Sequence, residues 1–312
     1  MSDLQAILRC PACHGDVADA HCTRPTCTYA AGFPIAAGQP VLVDFDNSIF
    51  DRAAYQRDTG SVLKRDDSRR GLKARLDHAA FGVNPIAPRI AGVLLQRLRA
   101  KGGRPRVLVI GGGAKGSGAE ALYDAEDIDL VGTDVYASAY TRLVADGHNL
   151  PFKDGTFDAV WIQAVLEHVL EPQRVVDEIH RVLRSDGLVF ADTPFMQQVH
   201  EGAYDFTRFT MNGHRWLLRR FSEIEAGPVA GAGTVLSWGV RGLVHALGAP
   251  SKVSTALKYL TFPLRFLDGV GPMRNRADGA SGVYFFGSKS TESLTPKDMV
   301  AYYADQARAA PR

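Results

Sequence analysis

Arg106 to Glu120 reads RVLVIGGGAKGSGAE, four consecutive apolar residues running into a glycine-rich turn. Val107 to Ile110 predicts a short buried strand, and the glycines behind it let the backbone turn sharply with no Cβ in the way. Strand, glycine turn and helix together make a nucleotide-binding device, because free N–H groups and the positive end of the helix dipole face whatever lies against the turn. Gly111, Gly113 and Gly116 also satisfy the dinucleotide pattern G-x-G-x-x-G, so the sequence downstream has to decide which nucleotide is meant.

Outward from this stretch, a helix is expected over Ala119 to Asp124 and a second strand over Ile128 to Thr133, ending at Asp134. In a doubly wound α/β sheet the ligand lies across the carboxyl ends of the strands, where an acidic residue can accept hydrogen bonds from both ribose hydroxyls. Asp146-Gly147-His148-Asn149-Leu150-Pro151-Phe152 follows, then Asp154-Gly155-Thr156-Phe157-Asp158-Ala159-Val160-Trp161. This succession resembles the class I S-adenosylmethionine-dependent methyltransferases, whose widespread type 11 group carries an acidic residue, L-P-F and a turn into F-D-x-V. Ala164 to Val169, the helix expected over Pro172 to Leu183, and Arg181 to Gly187 continue the likeness, which covers Arg106 to Thr193. It implies an α/β fold with a seven-stranded Rossmann-like sheet flanked by helices on both faces. It also implies S-adenosylmethionine as cofactor, with Gly111, Gly113, Gly116, Asp134, Asp146, Gly147 and Gln163 around it and Asp146 on the adenine amine. Two positions depart from the family pattern: Val109 stands where an acidic residue is frequent, and Lys115 where a further glycine of the turn would fall.

All four cysteines lie between positions 10 and 27, at Cys10, Cys13, Cys22 and Cys27. A C-x-x-C with two more thiols close behind suits a tetrahedral zinc ion, which can fold a segment too small to build a core. His14 and His21 are near enough to replace one thiol. From Leu8 to Phe45 the segment resembles the zinc-ribbon family that includes activator subunits of transfer-RNA and protein methyltransferases. That likeness implies a structural or protein-docking role, since a site closed by four thiolates has no open position for a substrate.

The expected domain plan is a zinc ribbon over 1–45, a charged helical linker over 46–80, and a methyltransferase domain over 81–290. A helical insertion at about 229–280 interrupts that domain, and a C-terminal helix occupies 291–312. Asn84 to Arg99, with Ile86, Ile90, Val93, Leu94 and Leu98 at helical spacing, predicts a helix packed on the main domain. Glu223 to Ala226 and Val283 to Gly287 read as the sixth and seventh strands. The insertion between them holds apolar, cationic stretches over Thr234 to Leu247 and Val253 to Leu267. They fit a lid first, and otherwise a homodimer face or a membrane contact.

On the substrate side, polar and aromatic residues crowd one loop after the fifth strand, from Thr193 through His200, Tyr204, Asp205 and Arg208. His200 has the chemistry of a general base for a hydroxyl, with Asp205 to orient it and His168 as a second candidate; Tyr204 and Arg208 would contact the substrate. The chain has no N-P-P-[YF] signature for methylating base or amide nitrogens. The expected function is therefore O-methylation of a small-molecule, sugar or lipid acceptor. An rRNA or tRNA base methyltransferase and a non-catalytic docking partner are the alternatives, and a nicotinamide oxidoreductase is the weakest rival.

Composition narrows the partners. A net charge of +2 over 312 residues gives no basic field of the kind non-specific nucleic-acid binding uses. Asp3, Arg9 and the first cysteines interrupt any signal-peptide core, and the longest uncharged stretch, Pro25 to Val43, is broken by Pro34 and Pro40. The expectation is a cytoplasmic protein without a transmembrane segment.

Overall fold

The computed structural model describes residues 2–56 and 84–306. Strand β5 (Arg106–Ile110) lies near the middle of the sheet, paired in parallel with β6 (Asp129–Asp134) on one side and β8 (Phe157–Gln163) on the other. Beyond β6 lies β7 (Leu143–Ala145), and beyond β8 lies β9 (Leu183–Pro194). Strand β11 (Gly282–Lys289) is inserted antiparallel between β9 and β10 (Phe221–Ala230). Because side chains alternate along β5, Leu108 and Ile110 join one core and Val107 and Val109 the other. The first is covered by the helix Pro172–Val182 through Val175, Val176, Ile179 and Val182; the second by Ala87–Lys101 through Ile90, Leu94 and Leu98. This is a Rossmann-like α/β fold, a mostly parallel sheet with helices on both faces.

The sheet is wider than expected. Nine strands are joined among the described residues, in the order β10-β11-β9-β8-β5-β6-β7-β4-β3. Strands β3 (Ile35–Ala36) and β4 (Gln39–Leu42) come from the N-terminal module, and β4 runs parallel to β7 with Val41 opposite Val144 and Leu42 opposite Ala145. An unpaired edge is a template for association, and here the chain's own module covers it. A second hairpin, β1 (Val17–Ala18) with β2 (His21–Cys22), stays outside the sheet.

Other boundaries shift modestly. The helix after the glycine turn is the single turn Glu120–Tyr123. The Asn84 carboxamide oxygen accepts from the N–H groups of Ile86 (2.9 Å) and Ala87 (3.1 Å), capping Ala87–Lys101 three residues later than the periodicity places its start. Of the expected helical linker, Phe45–Asn47 and Arg52–Gln56 are helical turns, and 57–80 lies outside the described residues. The insertion contains helices Ala232–Ala246, Ser251–Leu260 and Met273–Asp278, and Pro296–Gln306 follows the last strand, with the Thr295 N–H and hydroxyl both bonded to Asp298. Among the described residues no helix is long and apolar enough to cross a membrane.

Candidate active site at the strand ends

A cleft of about 760 Å³, open solvent at its mouth included, lies at the carboxyl ends of β5, β6, β7 and β8. Gly111, Asp134, Asp146, Gly147, His168 and Tyr204 all line it. Gly111 has a φ of +74°, and a Cβ there would meet Val165 Cγ2 at 2.2 Å, so only glycine carries the chain out of β5 along this path. The Gly113 N–H donates to Asp134 Oδ2 (2.8 Å) and the Val135 N–H to Oδ1 (2.7 Å), which fixes the carboxylate at the end of β6.

Asp146 is held more tightly. Its Oδ1 accepts from the His148 N–H (2.9 Å) and ring Nδ1 (2.6 Å), and its Oδ2 from the Ser48 hydroxyl (2.5 Å). Burial raises its pKa, but the His148 ring and the Ser48 hydroxyl outweigh burial, and the carboxyl titrates below its ordinary value. Asp146 is thus an ionised acceptor facing the cleft.

Gly113, Gly116 and Gln163 stand behind this lining. A Cβ at Gly116 would lie 2.4 Å from Gln163 Oε1, while Gln163 Nε2 donates to the Ser117 carbonyl (3.1 Å) and Oε1 accepts from Trp161 Nε1 (3.2 Å). Gln163 therefore ties the glycine loop to β8. Lys115 reaches outward to Asp124 (3.1 Å) and lies 5.5 Å from the Tyr123 ring centroid, so the departure from the glycine pattern is accommodated outside the cleft lining.

At the rim, the loop 197–208 folds over the short turn Leu166–His168. The Phe206 and Thr207 N–H groups donate to the Glu167 carbonyl (2.8 and 3.2 Å), and His168 Nδ1 donates to the Tyr204 carbonyl (2.7 Å). A carbonyl only accepts, so the proton sits on Nδ1 and Nε2 carries the free lone pair. Burial lowers the His168 pKa and keeps the ring neutral. The His168 and His200 rings meet edge to face at 4.9 Å. Asp205 accepts from the His200 N–H (2.9 Å) and forms a two-pronged ion pair with Arg208, whose hydrogen bonds hold it well below the usual carboxylate range. Arg208 also donates to the carbonyls of Gln197, Thr207 and Gln198, so the five N–H groups of its guanidinium are engaged within the loop. His200, Asp205 and Arg208 form one connected unit at the rim, outside the cleft lining.

In the N-terminal module, Cys10 and Cys27 Sγ lie 3.7 Å apart and Cys13 and Cys22 Sγ 3.3 Å apart, and all four sulfurs fall within 4.8 Å of one another. Zinc–sulfur bonds of about 2.3 Å in a tetrahedron separate the sulfurs by roughly 3.8 Å, so the cluster fits a structural zinc ion and is close enough to hold one.

Several residues at the site carry no signal at the sequence level. Ile49 and Phe50 wall the cleft from the linker side, and the Tyr55 hydroxyl donates to the Val135 carbonyl (2.7 Å). Ala164, in the cleft lining, has a φ of +53°, a strained conformation for a residue with a Cβ, held by bonds from its N–H to the Asp192 backbone and side chain (both 3.1 Å). Glu167 is fully buried, and neither carboxylate oxygen has a hydrogen-bond partner. Burial pushes its pKa up to about 8. Only its place beside His168 could have drawn notice to it.

Residues 108–191 match the family model of the methyltransferase domain. Among curated proteins, the chain is 39% identical over 59 residues to a malonyl-(acyl-carrier protein) O-methyltransferase of Laribacter hongkongensis, a match covering 19% of this chain and 20% of that protein. It is 42% identical over 64 residues to a demethylmenaquinone methyltransferase of Clavibacter sepedonicus, covering 20% of this chain and 26% of that one. The matches thus span about a fifth to a quarter of these relatives. Among solved structures, a Haemonchus contortus phosphoethanolamine N-methyltransferase 2 in complex with S-adenosyl-L-methionine aligns with a TM-score of 0.45 at 16% identity, covering 69% of this chain and 56% of that one. A Haloferax volcanii complex of the Trm112 methyltransferase activator with its methyltransferase partner aligns at 0.42 and 17% identity, covering 71% and 97%.

Proposed function

We propose that this chain transfers the methyl group of S-adenosylmethionine to an oxygen of a small-molecule acceptor. The observation that carries this reading is the pairing of Asp134 and Asp146 across one cleft within the segment that matches the methyltransferase domain. Asp134 suits the ribose hydroxyls and Asp146 the adenine amine, with Ile49, Phe50 and Val135 as apolar walls for the base. When bound, the cofactor supplies a methyl group already activated by a positive sulfur, so the protein's task is mainly to align acceptor and donor.

Transfer to a hydroxyl leaves one proton to remove as the new O–CH₃ bond forms and the S–CH₃ bond breaks. His168 is suited to receive it: its Nδ1–H is committed to Tyr204, its Nε2 lone pair is free, and burial keeps it neutral. The same cleft, with the chain's own zinc module seated beside it, supports a self-contained enzyme over a docking partner.

Calorimetric titration with S-adenosylmethionine and with NADH is the test. Binding of the first that Asp134→Ala abolishes supports the reading, and no binding ends it. A panel of hydroxylated and amine acceptors with radiolabelled donor then tests oxygen as the acceptor atom; exclusive labelling of amines would refute that part.

A further inference from the structure

We infer that Glu167, His168 and His200 form a three-ligand site for a divalent transition-metal ion at the rim of the cleft. One ligand atom from each residue lies within 4.8 Å of the others, and His168 Nε2 is 3.5 Å from Glu167 Oε1. A cation with bonds of about 2.0–2.2 Å to nitrogen and oxygen would close this spacing with small side-chain movements. The cluster is distinct from the four thiols, which belong to the N-terminal module.

Three further observations point to a ligand and not to incidental proximity. Glu167 is fully buried with both oxygens unpartnered, a costly arrangement that a bound cation would satisfy. His168 donates its Nδ1–H to the Tyr204 carbonyl, and His200 Nδ1 sits 3.3 Å from Asp205 Oδ2. Donation of one ring N–H to a carbonyl or carboxylate is how metal-ligating histidines are usually oriented. Arg208 in turn fixes Asp205, which gives the engagement of its five N–H groups a purpose. The exposed His200 leaves a path for the ion from solvent.

Two imidazoles and one carboxylate favour a first-row transition ion such as zinc, cobalt or ferrous iron over magnesium or calcium, which prefer oxygen ligands. Three protein ligands leave coordination positions open. If the proposed methyl transfer holds, on which this last step rests, an acceptor hydroxyl occupies one of them. Coordination lowers its pKa, its proton passes to solvent, and the oxygen attacks the methyl group while the sulfur leaves as a neutral thioether. His168 then acts through the ion instead of as a free base.

The test is titration of cobalt(II) into the full chain with its cysteine site already loaded with zinc. One further equivalent should bind, with visible d–d absorption and without the near-ultraviolet thiolate charge-transfer band of cysteine ligation. Glu167→Gln and His200→Ala should each weaken cobalt by more than the roughly 10–100-fold expected when a group that only orients a ligand is lost, and Asp205→Asn by an amount within that range. Glu167→Gln preserves shape and removes only the charge, so a folded variant is available. No uptake beyond the cysteine site, or uptake unchanged by Glu167→Gln, overturns the proposal. Cobalt uptake lost in the variants of a protein that fails to bind S-adenosylmethionine supports the metal site and refutes the reading of the cleft.

Discussion

Two additions flank the same sheet, and they are attached in opposite ways. The N-terminal module is sealed in: Val41, Leu42 and Val43 are fully buried, β4 is hydrogen-bonded to β7, and Cys10, Tyr29 and Phe33 share one core cluster with Phe152, Phe157 and Ile162. The insertion between β10 and β11 is folded on itself, through Asp268 bonded to Thr234 and Ser237 to Thr261, and it leaves Leu247, Leu260 and Phe266 about three-quarters exposed. Sheet hydrogen bonds and a shared core make the module part of the fold, whereas the insertion keeps an apolar surface free. The module also reaches the cleft, through Ser48, Ile49 and Phe50 of the segment that leaves it.

The comparison breaks most visibly at the metal. Removing the ion by chelation, or replacing the buried Cys10 with serine, should unfold the module and with it the edge of the sheet. The expected loss is at least about 5 kcal/mol, below the ~10–16 kcal/mol that structural zinc contributes in finger peptides. Calorimetric melting with and without chelator measures it. A main transition unmoved by chelation would mean that the module is as loosely attached as the insertion.

A pair of truncations tests the contrast side by side. Leu42→Ala deletes a fully buried side chain at the β4–β7 seam and should cost about 2–5 kcal/mol. Leu260→Ala, at a residue 75% exposed, should stay within about 0.5 kcal/mol. Urea denaturation of the two variants gives the numbers, and similar losses would show that the insertion carries a core of its own.

The same contrast marks how far the sequence alone could be read. Hydrophobic runs and the glycine turn locate β5 and β6 because each is a local pattern, and Asp134 follows from its place at a strand end, whereas β8, β9 and the role of Asp146 are legible only through the resemblance to the methyltransferase family. The seam between β4 and β7 was illegible: it joins residues about a hundred positions apart, and Gln39 to Leu42 reads equally well as the end of a free zinc ribbon. The same holds for Ser48, which reaches Asp146 across 98 positions, and for Glu167, whose significance is its burial. Gln163 and Lys115 illustrate the converse, since their side-chain directions depend on a loop path that spacing cannot specify.

Acid should loosen the insertion end first. His214, in the helix Met211–Leu217, lies 2% exposed near the cluster that includes Met211 and Ala277, and burial, then Arg215, lowers its pKa to about 3. With the folded value below the unfolded value of about 6.5, the unfolded chain binds more protons between these limits. Its contribution to stability is therefore fully present above pH 6.5 and falls away as the pH drops toward 3. At pH 5 the loss is about 2 kcal/mol, from roughly 1.36 kcal/mol per pH unit. Comparing Tm at pH 7 and pH 5 for the wild type and His214→Gln isolates this effect from proton competition at the thiols, and equal slopes in the two would refute the assignment.

The smallest effect is expected where the module touches the cleft. Ser48 donates to Asp146 Oδ2 from 98 positions away, and His148 occupies Oδ1 from the other side. A carboxylate offers about four lone-pair sites, and three are engaged, so one remains for an adenine amine without displacing Ser48. The hydroxyl therefore acts as a brace that holds the carboxylate in place and links the module to the cofactor cleft. Ser48→Ala should cost about 1 kcal/mol of stability, the typical net worth of one hydrogen bond, and weaken S-adenosylmethionine binding less than tenfold in calorimetry. A hundredfold loss would place Ser48 in direct contact with the cofactor. Tighter binding would show instead that the module restrains the cleft by competing for Asp146, and the sealed edge would then be a regulator of the site as well as its support.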